Sequence, residues 1–241
     1  MMHRRFVLAA LSLAALARAG LLSAAVPKRR SAAPVAPPAP PPVLPPAAIE
    51  RVALVTELGT VELSLDGAHA PISTANFLRY VDAKRFDGIT FYRAMHLAWG
   101  DQPNGLLQGG LRDPRQLFPP IAHEPTSQTG LSHKAGALSM ARNAPGTATA
   151  DFSIMLSDLT GLDADPKSAD PEAQAGYAVF GMATAGMDVV RKIWEAPISQ
   201  TLGEGVMRGQ MLEVPVKVLS ARRLPAPPAA PPAVGPAPPA P

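Results

Sequence analysis

An antiparallel β-barrel capped by two α-helices is the architecture this sequence predicts. Three observations carry the prediction: short runs of alternating apolar and polar residues, Gly- and Pro-rich breaks between them, and only two segments with helical spacing. All fall between about residues 50 and 223. Eight of the 29 prolines lie in 34–46 and nine in 225–241, within tracts made mostly of Ala and Pro. Such tracts lack the large side chains that offset ordering entropy, and their backbones favour extended polyproline II. Residues 26–49 are therefore expected to form a linker and 224–241 a disordered tail, leaving 50–223 to bury a core.

Within 50–223 the elements follow in order. Runs at 52–57 and 61–66 read as strands joined through Leu58-Gly59-Thr60, with Val61, Leu63 and Leu65 facing inward. Pro71 opens a helix expected to reach residue 84, with Ala75, Leu78 and Val81 on its apolar face. The Asp87-Gly88 turn precedes a strand at 89–93. Glycines and prolines then dominate to about 135, which predicts loops and short strands. Further strands are expected at 137–141, 152–156 and 177–181. A second helix fits 186–196, with Met187, Val190 and Ile193 or Trp194 inward. Val214, Val216 and Val218 mark a last strand, giving seven or eight in all. The sequence contains no internal repeat.

The first 25 residues pair a basic start, Arg4-Arg5, with an apolar stretch from Phe6 to Ala17 and small residues after it. That is the pattern of a signal peptide, with Ala17-Arg18-Ala19 or Ser23-Ala24-Ala25 as cleavage sites. The stretch falls short of the roughly 20 residues that span a bilayer, so no stable membrane span is expected after cleavage and a periplasmic location is. The chain has 22 basic and 19 acidic residues, but six basic and no acidic residues sit in 1–49. Residues 50–223 are therefore net acidic, and the basic balance of the whole chain argues for no nucleic-acid partner. With no cysteine, disulfides and thiolate-bound metals are excluded, and an oxidising compartment is tolerated.

Chemistry is sought next among the remaining groups. His123-Glu124 begins a zincin-like pattern, but the second histidine position is Ser127 and Pro125 forbids the helix. Asp163, Asp165 and Asp170 lack the glycine and glutamate of a calcium loop and read as a solvated acidic loop. No Gly-x-Ser-x-Gly or phosphate-binding motif is present. No metal and no cofactor are expected.

Five segments resemble the cyclophilin family in order and spacing. Residues 56–65 followed by Pro71-Ile72-Ser73-Thr74-Ala75-Asn76-Phe77 resemble its opening hairpin and first helix. Phe86-Asp87-Gly88-Ile89-Thr90-Phe91-Tyr92-Arg93 resembles its catalytic-arginine strand. Leu107-Gln108-Gly109-Gly110, Gly136-Ala137-Leu138-Ser139-Met140-Ala141 and Ala178-Val179-Phe180-Gly181 match its next three blocks. The resemblance implies an eight-stranded antiparallel barrel with two capping helices. It also implies peptidyl-prolyl cis–trans isomerisation of proline-containing polypeptides, by a monomer. Arg93 and Gln108 would be catalytic. Leu106, Met140, Ala141, Asp151, Ser153, Leu162 and Tyr177 would bind substrate.

The sequence departs from the family at the pocket. The usual pocket phenylalanines fall on Gly105 and Ser153, a usual glutamine on Asp151, a tryptophan on Gly161 and the pocket histidine on Tyr177. The last is reached across an insertion at roughly 164–175. Asp151 is expected to place a carboxylate near Arg93 and compete with substrate for its donors. Trp99 has two readings, a replacement wall for the pocket or ordinary loop packing. These departures keep open a second function, a cyclophilin-like module that binds peptides with little turnover.

Overall fold

The computed structural model describes residues 48–225. The expected leader over 1–25, nearly all of the linker over 26–49 and the tail beyond 225 lie outside the described residues. The described residues form nine strands: β1 (Ile49–Thr56), β2 (Gly59–Asp66), β3 (Thr90–His96), β4 (Gly105–Gly110), β5 (Ala137–Met140), β6 (Phe152–Met155), β7 (Val179–Ala185), β8 (Ile198–Ser199) and β9 (Met211–Arg223). Eight of them close a ring in the order β1-β2-β7-β5-β6-β4-β3-β9, with β9 pairing back to β1. All the pairings are antiparallel. The architecture is the expected eight-stranded antiparallel barrel. The short β8 lies outside the ring, against β9.

Alternation places the β2 side chains as the pattern predicts: Val61, Leu63 and Leu65 are fully buried. The last strand departs from its expected pattern. Val214 is 76% exposed, while Leu212, Val216, Val218 and Ala221 are buried. The β3–β9 pairing is irregular here, since Arg93 opposes Met211 while Phe91 opposes Val216. Pro215 also lacks an N–H for the ladder. A strand of β4, entirely buried, occupies the stretch whose glycines predicted loops and short strands.

The described residues hold four α-helices: α1 (Pro71–Asp82), α2 (Thr126–Thr129), α3 (Pro171–Ala175) and α4 (Met187–Trp194). The two longer ones are those expected from the sequence, and each is shorter than its predicted range. Helix α1 packs on β2, β7 and β9, and α4 on β2, β3 and β4. The core face of α1 is carried by Phe77, Leu78, Tyr80 and Val81, whereas Ala75 is only half-buried. A spacing of three from Ala75 picks the edge of the face; the aromatic side chains fill its centre.

No side chain at Ala70 caps α1. Glu124, 1% exposed, does so from 51 residues away: its carboxylate accepts from the Ile72 and Ser73 N–H groups at 3.1 and 2.9 Å. Negative charge there also suits the helix dipole. Glu124→Ala is expected to cost about 2–3 kcal/mol, because it strands buried donors that faced a charged acceptor. Glu124→Gln, which keeps one acceptor, should cost less. Urea midpoints compare the two, and equal midpoints for alanine and wild type would remove this cap from the fold's energetics.

Candidate active site

A groove of about 310 Å3 runs along the outside of the barrel over β3, β4, β5 and β6. Arg93 reaches it because β3 carries a bulge. Phe91 opposes Gly109 and Arg93 opposes Gln108, so Tyr92 is an extra residue. The bulge resets the alternation: Phe91 and Ala94 both point inward, fully buried, while Arg93 turns outward.

Three side chains hold the guanidinium. Its Nη1 donates to Gln108 Oε1 at 2.7 Å. Nε and Nη2 both donate to Gln210 Oε1, at 2.9 and 2.6 Å. Nη2 also meets the Met95 Sδ at 3.7 Å. The guanidinium carries five N–H donors, and these contacts leave one on Nη1 for a substrate. Burial pulls the Arg93 pKa below its ordinary value.

A directed chain continues behind Gln108. Its Nε2 donates to the Tyr92 hydroxyl at 2.9 Å, and that hydroxyl donates to Asp151 Oδ2 at 2.7 Å. An ionised carboxylate only accepts, so Tyr92 must donate to it and accept from Gln108. That order fixes the Gln108 amide with its oxygen toward Arg93. Burial, helped by the Asp151 charge, pushes the Tyr92 pKa well up, and the phenol stays a donor.

The expected pairing of Asp151 with Arg93 is therefore corrected. Tyr92 and Gln108 stand between them, and Asp151 is absent from the groove lining. Gly110 makes room for it, since a Cβ there would lie 1.9 Å from Asp151 Oδ1. Burial raises the Asp151 carboxyl above its usual value, against the opposing pulls of the Tyr92 hydroxyl, Arg112 and the Leu111 N–H. The native state thus holds this proton more tightly than the unfolded chain. Stability from this group is full below the usual value near 3.8 and falls as pH climbs through the raised one. Asp151→Asn keeps an acceptor for Tyr92 and removes the ionisation. Its thermal midpoint is expected to exceed that of the wild type at pH 7, with the gap closing toward pH 4. A lower midpoint at pH 7 would mean the charge itself stabilises the site.

The other expected residues are placed as follows. Leu106 of β4, Met140 of β5 and Ser153 of β6 line the groove, with Ala141 just past β5. Leu162 and Tyr177 line it from either side of the insertion, whose base is closed by the Tyr177 N–H donating to the Leu162 carbonyl at 3.0 Å. Arg142 anchors this wall. Its guanidinium lies 4.4 Å from the Tyr177 ring centroid, pairs with Glu172 of α3 at 3.0 Å and donates to the Gly176 carbonyl at 2.5 Å. Gly105 cannot bear a side chain on this backbone: φ is +148° and a Cβ would lie 1.9 Å from the Met95 carbonyl oxygen. Trp99 is 67% exposed, so it neither walls the groove nor packs in its loop.

The sequence reading missed Met95, Ser139, Arg142, Met155, Val206 and Met207 in the lining, and Tyr92 and Gln210 behind it. It also read Asp163 as solvated. Asp163 instead accepts from His133 Nδ1 at 2.6 Å and from the Ser132 hydroxyl, and His133 Nε2 lies 2.9 Å from Oγ of Ser139, a residue of the groove lining. Burial lowers the His133 pKa, with Asp163 pulling the other way. The neutral ring therefore accepts from Ser139. This set supports the floor rather than forming a nucleophile site, since the sheet and its neighbours use the backbone N–H groups of Met140 and Ala141. Among the described residues, no three His, Asp or Glu side chains converge to hold a metal ion.

Comparison with known proteins agrees with this geometry. Residues 51–221 match the family described as cyclophilin type peptidyl-prolyl cis-trans isomerase/CLD. A peptidyl-prolyl cis-trans isomerase of Acinetobacter baylyi is 36% identical over 175 residues, covering 70% of this chain and 82% of that protein. Peptidyl-prolyl cis-trans isomerase A of Dickeya dadantii is 35% identical over 147 residues, covering 59% of this chain and 70% of that protein. The crystal structure of a Cryptosporidium parvum cyclophilin type isomerase shares the fold. It matches with a TM-score of 0.56 at 18% identity, over 74% of this chain and 99% of that one. With its closed barrel, its outward arginine on a bulged strand and this match over most of its length, the chain belongs to the cyclophilin-type peptidyl-prolyl cis-trans isomerase family.

Proposed function

We propose that the protein is a peptidyl-prolyl cis–trans isomerase acting, as a monomer, on X-Pro bonds of exported proteins in the periplasm. The observation that carries this reading is the guanidinium of Arg93, held by Gln108 and Gln210 with one Nη1 donor unspent. Rotation about a peptide bond costs about 18–20 kcal/mol, because resonance gives it double-bond character. Weakening that resonance needs neither a nucleophile nor proton transfer. A fixed donor beside the prolyl nitrogen, or on the carbonyl of the twisted amide, stabilises the transition state more than the planar ground state. Leu106, Met140 and Met155, all buried, form an apolar floor that suits a proline ring. The signal-peptide pattern of 1–25 supports export, and uncatalysed X-Pro steps of tens of seconds supply the need.

A second reading is favoured by a specific observation. Gly105 and Ser153 replace aromatic wall, which lowers the apolar contact available to hold a twisted proline. The module would then bind peptides with little turnover. A protease-free isomerisation assay on the mature chain separates the two. Acceleration of cis-to-trans exchange supports the enzyme, and peptide binding without acceleration supports the binder. Mass spectrometry of the exported chain should find cleavage near residue 19 or 25; an intact N-terminus would remove the periplasmic assignment.

A further inference from the structure

Apolar side chains held in water beside a binding groove gain most when a ligand covers them. Val206 is 83% exposed and Met207 39% exposed, and both line the Arg93 groove. They belong to the single 3₁₀ turn of Gly205–Met207, in the segment between β8 and β9. This segment is tied to itself. The Met207, Arg208 and Gln210 N–H groups donate to the carbonyls of Glu204, Gly205 and Met207 at 3.1–3.2 Å. Gln210 then fastens it to the site. Its Nε2 donates to the Val206 carbonyl at 2.8 Å, while its Oε1 accepts from both Arg93 Nε and Nη2. One carboxamide thus spans the apolar turn and the guanidinium.

We infer that residues 202–210 form a specificity lip. Val206 and Met207 select polypeptides with a bulky apolar residue beside the proline, and Gln210 is the positioning residue that holds the lip against Arg93. The inference rests on the groove's being an X-Pro binding site, as proposed above. The occupant follows from what the groove offers. Gly105 and Ser153 bring no ring to the groove, so apolar contact beyond the floor comes from Leu162 and Tyr177 and from this lip. The charged side chains on the segment, Glu204 and Arg208, are of opposite sign and both exposed, so no net charge does the selecting. Covering side chains of this size is worth about tenfold in affinity.

The test titrates the mature chain by calorimetry with two peptides of equal length. They differ only in having Leu or Ser on both sides of one proline. Wild type is expected to bind the Leu peptide about tenfold more tightly. V206S/M207S, on an exposed turn, should bring the ratio close to one. Gln210→Ala leaves both apolar groups in place and should also lower the ratio, raising KM for the Leu peptide more than for the Ser peptide, at an unchanged thermal midpoint. Equal binding of both peptides by wild type, or an unchanged ratio in V206S/M207S, would overturn the lip. Selective binding without turnover would keep the lip and remove the isomerase.

Discussion

Arg93→Ala is expected to slow X-Pro isomerisation by about 10²–10³-fold, by analogy with removal of one fixed donor from an oxyanion hole. The size follows from preorganisation. Gln108, Gln210 and Met95 fix the guanidinium before substrate arrives, so no reorganisation is needed as the amide twists. Arg93→Lys should rescue poorly. An ammonium is a point charge without the planar fork by which Nε and Nη2 grip Gln210 while Nη1 meets Gln108. Arg93 faces outward from the barrel, so either variant should keep the wild-type melting curve. A protease-free assay gives the rate, and near-normal turnover by folded Arg93→Ala would take Arg93 out of the mechanism.

Phe77→Ala is expected to lose about 3–5 kcal/mol of folding stability, the range for deleting a buried aromatic ring. Phe77 is 1% exposed, and its ring centroid lies 4.9, 5.2 and 5.4 Å from those of Phe86, Phe152 and Phe180. These neighbours come from the turn after α1, from β6 and from β7. Rigid strands cannot collapse inward to fill the space, so the cavity stays open and the transfer loss is not recovered. Denaturant unfolding with an unchanged m-value would report the loss. A cost under about 1 kcal/mol would mean that α1 repacks freely on the barrel.

What the sequence revealed depended on how locally each feature is encoded. The β2 alternation and the α4 inner face are written in neighbouring residues, and they read correctly. The strand bearing Arg93 was legible, but not the bulge that turns Arg93 outward, because a bulge is a property of the pairing with β4. Glu124 looked like half a metal motif, yet it caps a helix 51 residues earlier; only the closed fold brings them together. Gln210 is 117 residues from Arg93 and lies in a segment with no pattern to mark it. Asp151 was expected in the groove beside Arg93, and it lies behind the groove on the Tyr92 hydroxyl. The side chain between it and the arginine network, Tyr92, owes its position to the same bulge.

Strand β9 pairs with both β1 and β3, so the ring is completed by the last of its strands to be synthesised. Until residues 211–223 pair, β1 and β3 each present an unpaired edge able to recruit other chains. Over the same interval the Arg93 guanidinium lacks a fixed Gln210, which sits immediately before that strand. Protection from aggregation and assembly of the reactive groove therefore arrive in one event, the docking of β9.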